Sequence, residues 1–408
     1  MTAHPASPDL IEHIAQRLAA PAPRSTDNPW AAQSLSQGSA GVALLHIERA
    51  HSGAGSWQQA HRWITSAAAG EVSAADTSGL YQGIPAVAFV LQAAAGSSER
   101  YGHALATLDR SVCELAHRRT IAALDRIQRG DLPAFREYDI FSGLTGIGAH
   151  LLRRDPANPA LEGVLTYLVA LTRPLRHEGQ RVPGWWVGHD QYTRTSARFP
   201  HGHSNQGTAH GITGPLMLLA RATLRGATID GQREAIATIC GWLDEWQQSG
   251  PTGAWWPECI PLTGLRTRRT SQTGPARPSW CYGTPGIARA LQLAAIATHD
   301  NDRRRRAEKY LIDCIDDSVQ LARLADAGLC HGWAGIYQTT WRAAQDSTDP
   351  TLRAALPHLR SALLDAAVRW TPPGPGFLDG ATGTALALTT AARDQAPLSG
   401  WDSCLLID

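Results

Sequence analysis

Seven cysteines in 408 residues, an odd number scattered from Cys113 to Cys404, exclude a disulfide framework of the kind that staples small secreted domains. Charge of neither sign is in excess. With 37 basic side chains against 36 acidic ones and a formal net charge of +1, the chain lacks the basic surplus of a nucleic-acid surface. No apolar run approaches the roughly 18–20 residues of a membrane span. The stretch MTAHPASPDLIEHIAQ has neither the basic start nor the apolar core of a signal peptide, so a cytoplasmic protein is expected. Phenylalanine is scarce, 5 residues against 14 tryptophans; indoles are therefore expected to carry most aromatic packing and to line any groove for an extended peptide. What remains is 43% hydrophobic and 18% charged, enough for a large buried core.

The chain repeats itself. Glycine turns followed by Ala- and Leu-rich stretches of helical length occur at QGSAGVALLHIERA, QGIPAVAFVLQAAA, SGLTGIGAHLL, HGITGPLMLLARA, YGTPGIARALQLAA, HGWAGIYQTTWRAA and DGATGTALALTTAA. Their first glycines are residues 38, 83, 143, 211, 283, 332 and 380, spaced by 45 to 72 residues. The stretch after each turn is apolar nearly all round, as in a helix buried on most sides. Between the copies lie amphipathic stretches such as 302–325 and 350–370. The expected unit is an outer amphipathic helix, a loop, a glycine turn and an inner helix. Seven such hairpins, about 14 helices at roughly 29 residues per helix and loop, close naturally into an α/α-toroid, with an open solenoid as the rival. Glycine suits the turns because it permits positive φ and lets helix starts crowd together. Two segments, 173–207 and 249–279, break the helical pattern and read as loops with short strands.

If the turns share one end of the fold, their polar side chains converge there. The candidates are Asp139, His210, Arg277, Cys281, Cys330 and His331. Cys281 and the Cys330–His331 pair come from consecutive repeats and supply three of the four positions of a tetrahedral zinc site with one position open. Two thiolates and one neutral imidazole leave the metal site near zero charge, which favours activating an incoming thiol over activating water. The competing reading, in which both cysteines are small buried residues and His331 a helix cap, stays open. Cys113, Cys240 and Cys314, on helix-like stretches, read as buried packing residues, and His201 and His203 as ordinary loop residues.

The motifs WCYGTPG, CHGWAG, AHGITG and YDIFSGLTGIG, together with the sevenfold glycine repeat, resemble those of lanthionine synthetase C-like proteins, and among these the stand-alone class I lanthipeptide cyclases. The resemblance covers nearly the whole chain. It implies one α/α-toroid domain over 1–408 with a small SH2-like insertion at 173–207, and one zinc on Cys281, Cys330 and His331. It also implies catalytic roles for Asp139, His210, Arg277 and Tyr282. The implied reaction is Michael addition of a peptide cysteine thiol to dehydroalanine or dehydrobutyrine, forming thioether rings. The implied partners are a dehydrated precursor peptide with its leader, a dehydratase and an export transporter, in a cytoplasmic or peripherally membrane-associated synthetase complex. The second repeat departs from the pattern, with Ala86 where its second glycine belongs, and a locally different helix start is expected there. A protein prenyltransferase β-subunit, a glutathione transferase of the same family acting on dehydroamino acids in proteins, and a non-catalytic zinc-stabilised peptide scaffold are the rivals.

Overall fold

The computed structural model describes residues 7–23, 28–190 and 193–408. Among them are fourteen helices of eleven residues or more and three of six or fewer. In chain order these are α1 (Ser7–Arg17), α2 (Ser39–His51), α3 (Trp57–Ala67), α4 (Ile84–Ala95), α5 (Gly102–Arg129), α6 (Phe135–Tyr138), α7 (Leu144–Arg154), α8 (Pro159–Leu171) and α9 (Thr213–Leu224). Next come α10 (Gln232–Trp246), α11 (Leu262–Thr267), α12 (Thr284–Thr298), α13 (Asn301–Asp316), α14 (Ser318–Leu321), α15 (Trp333–Asp346), α16 (Thr351–Arg369) and α17 (Ala381–Arg393). All seven expected inner helices are present, each starting one or two residues after the first glycine of its turn. They are α2, α4, α7, α9, α12, α15 and α17. Burial separates the two kinds of helix. Ala40 to Ala50 of α2 are buried without a break, as are Thr382 to Ala391 of α17, whereas α16 buries only Leu352, Leu356, Leu359 and Leu363. No helix among the described residues is long and apolar enough to cross a membrane.

The chain divides into two compact units, Met1–Val112 with Leu324–Cys404 and Asp408 in one, and Cys113–Arg323 with Leu405–Ile407 in the other. In both, neighbouring glycine turns are joined by backbone hydrogen bonds at one register. The carbonyl two residues before the first glycine accepts N–H groups from the turn before it. In the first unit Leu35 N donates to Tyr81 O (3.1 Å), and Leu329 N and Cys330 N donate to Leu378 O (2.8 and 3.0 Å). Phe377 N and Leu378 N donate to Ser36 O (2.7 and 3.3 Å), so the seventh turn bonds back to the first. α17 correspondingly packs on α2 and α1. An open solenoid has no such return contact. In the second unit Ile140 N donates to Ala209 O (3.2 Å), and Thr208 N and Ala209 N donate to Cys281 O (2.9 and 3.3 Å).

The glycines let each turn fold tightly on itself mainly by having no side chain. A Cβ on Gly383 would lie 1.9 Å from Phe377 O and one on Gly286 2.2 Å from Trp280 O. Positive φ, expected for the turns in general, holds at Gly83 (79°) and Gly283 (100°); Gly38, Gly143, Gly332 and Gly380 are extended. The helix start at Gly83 differs from that at Gly38 but shares its positive φ with Gly283, whose repeat keeps its second glycine, so Ala86 does not set it apart. The amphipathic stretch 302–325 is not one helix. It stops at Asp316, and Asp317 Oδ1 caps α14 by accepting from Val319 N (2.9 Å) and Gln320 N (3.2 Å).

The segments 173–207 and 249–279 do carry short strands. β1 (Leu175–His177) and β2 (Gln180–Val182) form one antiparallel pair, and β4 (Gln248–Gly250) and β5 (Gly253–Trp255) another. β3 (His203–Asn205) pairs with β6 (Cys259–Pro261), tying the two segments together, with Asn205 opposite Cys259. Positions 191 and 192 of the first segment lie outside the described residues.

Buried charges hold the C-terminal segment. In the first unit the fully buried Asp402 accepts from Arg342 Nε and Nη2 (2.6 and 2.7 Å) and from Gln338 Nε2 (2.7 Å). Glu48 on α2, also buried, accepts from Ser399 N (2.8 Å), Ser399 Oγ (2.6 Å) and Leu398 N (3.0 Å). In the second unit Trp280 Nε1 donates to Leu405 O (3.0 Å) and Arg289 Nε to Ile407 O (2.9 Å). Removing one partner of a buried ion pair strands the other charge, at a cost of about 3–5 kcal/mol. Asp402→Ala is therefore expected to shift the urea unfolding midpoint markedly downward, while Arg305→Gln, on an exposed pair with Asp302, leaves it within about 0.5 kcal/mol. Equal midpoints for the two variants would contradict this account of the C-terminal anchor.

Candidate active site and metal centre

The turn before α7 is built around Asp139, which is 3% exposed. Its N–H ends α6 by donating to Phe135 O (2.8 Å). Oδ1 accepts from Ser142 N and Gly143 N, both at 2.7 Å, and so holds the turn closed. Oδ2 lies 2.7 Å from His210 Nδ1. The carboxylate accepts the Nδ1 proton, which leaves Nε2 as the acceptor nitrogen of the neutral ring. Phe141 stacks on the imidazole at 4.9 Å and 26°, fixing its plane. His210 keeps 26% of its side chain exposed.

Tyr282 follows Cys281 on the turn before α12. Its hydroxyl oxygen accepts from Asn205 Nδ2 (2.8 Å), while Asn205 Oδ1 accepts from Gly207 N (2.8 Å). The ring lies against Gly207, where a Cβ would come within 2.6 Å of Cε1. Burial pushes the Tyr282 phenol well up, with the neighbouring Cys259 adding to it, so the hydroxyl stays protonated and its own O–H is left to donate. Cys281 is 6% exposed, and its carbonyl bonds to Thr208 and Ala209 set it one residue from His210 along the bonded backbones. Arg277 is half-buried on the wall of a concavity of about 380 Å³.

Cys330 and His331 are half-buried on the turn before α15. The imidazole lies between two carboxylates, Asp326 Oδ2 at 3.7 Å from Nε2 and Asp379 Oδ1 at 3.6 Å from Nδ1. Cys281 belongs to the second unit and Cys330 and His331 to the first; together they offer two thiols and one imidazole as ligand atoms. That donor set is compatible with zinc.

Burial pushes Cys240, Cys259 and Cys314 up to about 12, which makes them poor nucleophiles. Cys113, expected to be buried, is only half-buried, beside the Asn158 amide. His201 is exposed and pairs with Glu178 (2.8 Å), as a loop residue does. His203 is not a loop residue. It sits on β3, 2% exposed and stacked on Phe199 at 3.9 Å, and burial lowers it to about 4. Asn205, Phe141, Asp326 and Asp379 escaped the sequence reading. Asp379 was findable, since it precedes its glycine in DGATG as His331 does in HGWAG and His210 in HGITG.

The family model for lanthionine synthetase C-like proteins matches residues 29–406. The chain belongs to the lanthionine synthetase C-like family. It is 24% identical over 272 residues to the nisin biosynthesis protein NisC of Lactococcus lactis subsp. lactis, a match spanning 64% of this chain and 61% of that relative's length. The fold matches that of the solved structure of nisin cyclase with a TM-score of 0.80 at 19% identity, over 98% of this chain and 96% of that one. The fold of this family member is thus an α/α-toroid, as the sevenfold repeat led us to expect.

Asp139 has a structural duty besides its contact with His210, and substitutions separate the two. Asp139→Ala leaves the Ser142 and Gly143 N–H groups without their acceptor and is expected to cost about 1–3 kcal/mol in urea unfolding. Asp139→Asn keeps an acceptor oxygen for them and should cost clearly less. If both variants unfold alike, the carboxylate does not hold this turn.

Proposed function

We propose that the chain is a zinc-dependent lanthipeptide cyclase, adding cysteine thiols of a dehydrated peptide to its dehydroalanine or dehydrobutyrine residues to form lanthionine or methyllanthionine. The observation that carries this reading is Cys281 on the turn bonded to that of an Asp139-oriented His210. The family assignment supports it. Cys281, Cys330 and His331 would hold the zinc. When bound, zinc lowers the pKa of a thiol that reaches its open position.

The chain's own residues handle protons and charge. His210 Nε2 takes the proton of the substrate thiol, with Asp139 stabilising the imidazolium that results. The sulfur forms its bond to Cβ of the dehydro residue, and the π pair moves onto Cα and the carbonyl. Arg277, a permanent cation, and the Tyr282 O–H supply positive charge and a hydrogen bond to the enolate oxygen. His210 then returns its proton to Cα, so the mass is unchanged and the enzyme restored. On this reading the toroid is one cyclase domain over 1–408 and the 173–207 segment an SH2-like insertion. The substrate carries a leader, and a dehydratase and an export transporter are the working partners in the cytoplasm or at the membrane surface.

The purified chain is expected to carry one zinc per chain by elemental analysis. Cys281→Ala should lose it and Cys240→Ala should keep it. His210→Ala should keep zinc and fold yet close rings about 10²- to 10⁴-fold more slowly. Ring closure is read by mass spectrometry after alkylating the free thiols of a dehydrated peptide. A metal-free chain with full activity would overturn the proposal, and a zinc-loaded His210→Ala that closes rings at the parent rate would remove His210 from the proton transfer.

A further inference from the structure

The concavity on whose wall Arg277 lies is lined by Arg198, Arg323, Glu258 and Gln272 among others. Its charged lining is three guanidiniums against one carboxylate, in a chain whose net charge is only +1. Two of the guanidiniums are held in place. Arg198 lies over the Phe199 ring at 5.0 Å, and Arg323 donates to the Pro275 carbonyl. The wall adjoins the candidate site. Glu258 O accepts from Gln206 N (2.9 Å), Cys259 beside it pairs with Asn205, and Asn205 holds the Tyr282 hydroxyl.

We infer that this arginine-lined concavity binds a carboxylate of an acidic peptide, and so selects substrates with an acidic residue near the reacting cysteine. The inference rests on the peptide-substrate reading above. Guanidiniums fixed by stacking and by a backbone carbonyl present paired donors that match a carboxylate's two oxygens. A concavity with one sign of charge also concentrates ligands of the other sign.

The test is fluorescence anisotropy with a labelled hexaglutamate peptide and its hexaglutamine counterpart. The zinc-loaded chain should bind hexaglutamate and not hexaglutamine, with affinity falling as salt rises. Arg198→Gln with Arg323→Gln should weaken binding by about tenfold. Arg305→Gln with Arg306→Gln, which removes the same charge from α13, should change it less than about twofold. Equal loss in the two double variants, or equal affinity for the two peptides, would overturn the inference. Neither readout involves ring closure. A chain that binds hexaglutamate through these arginines but closes no rings sinks the proposed function alone, and one that closes rings but treats both peptides alike sinks this inference alone.

Discussion

One backbone hydrogen bond, repeated from turn to turn, governs how neighbouring inner helices start in register. A buried amide must find a partner, and here the N–H groups just before one glycine turn find theirs on a carbonyl of the next. The bond from Leu35 to Tyr81 does this at the first repeat, those from Thr208 and Ala209 to Cys281 at the fourth, and those from Phe377 and Leu378 to Ser36 at the seventh. Neighbouring backbones approach closely where side chains are absent: a Cβ on Gly376 would lie 2.8 Å from Ser36 O and one on Gly207 2.8 Å from Cys281 O, the carbonyls that carry these bonds. The bond from the seventh turn to the first extends the same register within the first unit.

The same register places the chemistry. The residue before the first glycine is Ser142, His210, Tyr282, His331 or Asp379 in successive later repeats, and the residue before that is Phe141, Ala209, Cys281, Cys330 or Leu378. Within each unit the inter-turn bond keeps its place while the side chains vary. A stack for His210, two thiols and a carboxylate beside His331 are therefore alternative occupants of equivalent places.

This explains which parts were legible in the sequence. The inner helices were, because a turn glycine followed by an all-apolar stretch has few other meanings. Cys281, Cys330 and His331 stood out because they occupy equivalent places before two consecutive turn glycines. Asn205 was not legible. It acts from a strand in an irregular segment, and its partner lies 77 residues away. His203 misled for the same reason, since PHGHS looks like a polar loop until β3 pairs with β6 and buries it. The break in 302–325 was hidden because Asp317 fits an amphipathic pattern as a surface charge while acting as a cap. Periodicity reports faces and repeats; it does not report which polar side chain has found a backbone partner.

The register also couples two functions that chemistry would otherwise let vary separately. Cys281 offers its thiol toward the proposed metal while its carbonyl holds Thr208 and Ala209, the residues leading into His210. Asp139 orients His210 with one oxygen and closes its own turn with the other. A shift in either turn therefore moves the thiol-activating and the proton-transferring groups together. In the proposed reaction this matters, because the sulfur must reach Cβ and the proton Cα on adjacent atoms of one residue, and misplacement by about an ångström at either end costs alignment at both. A fold that fixes the two groups through shared backbone bonds, rather than through two independent loops, keeps their separation constant while the outer helices and irregular segments change.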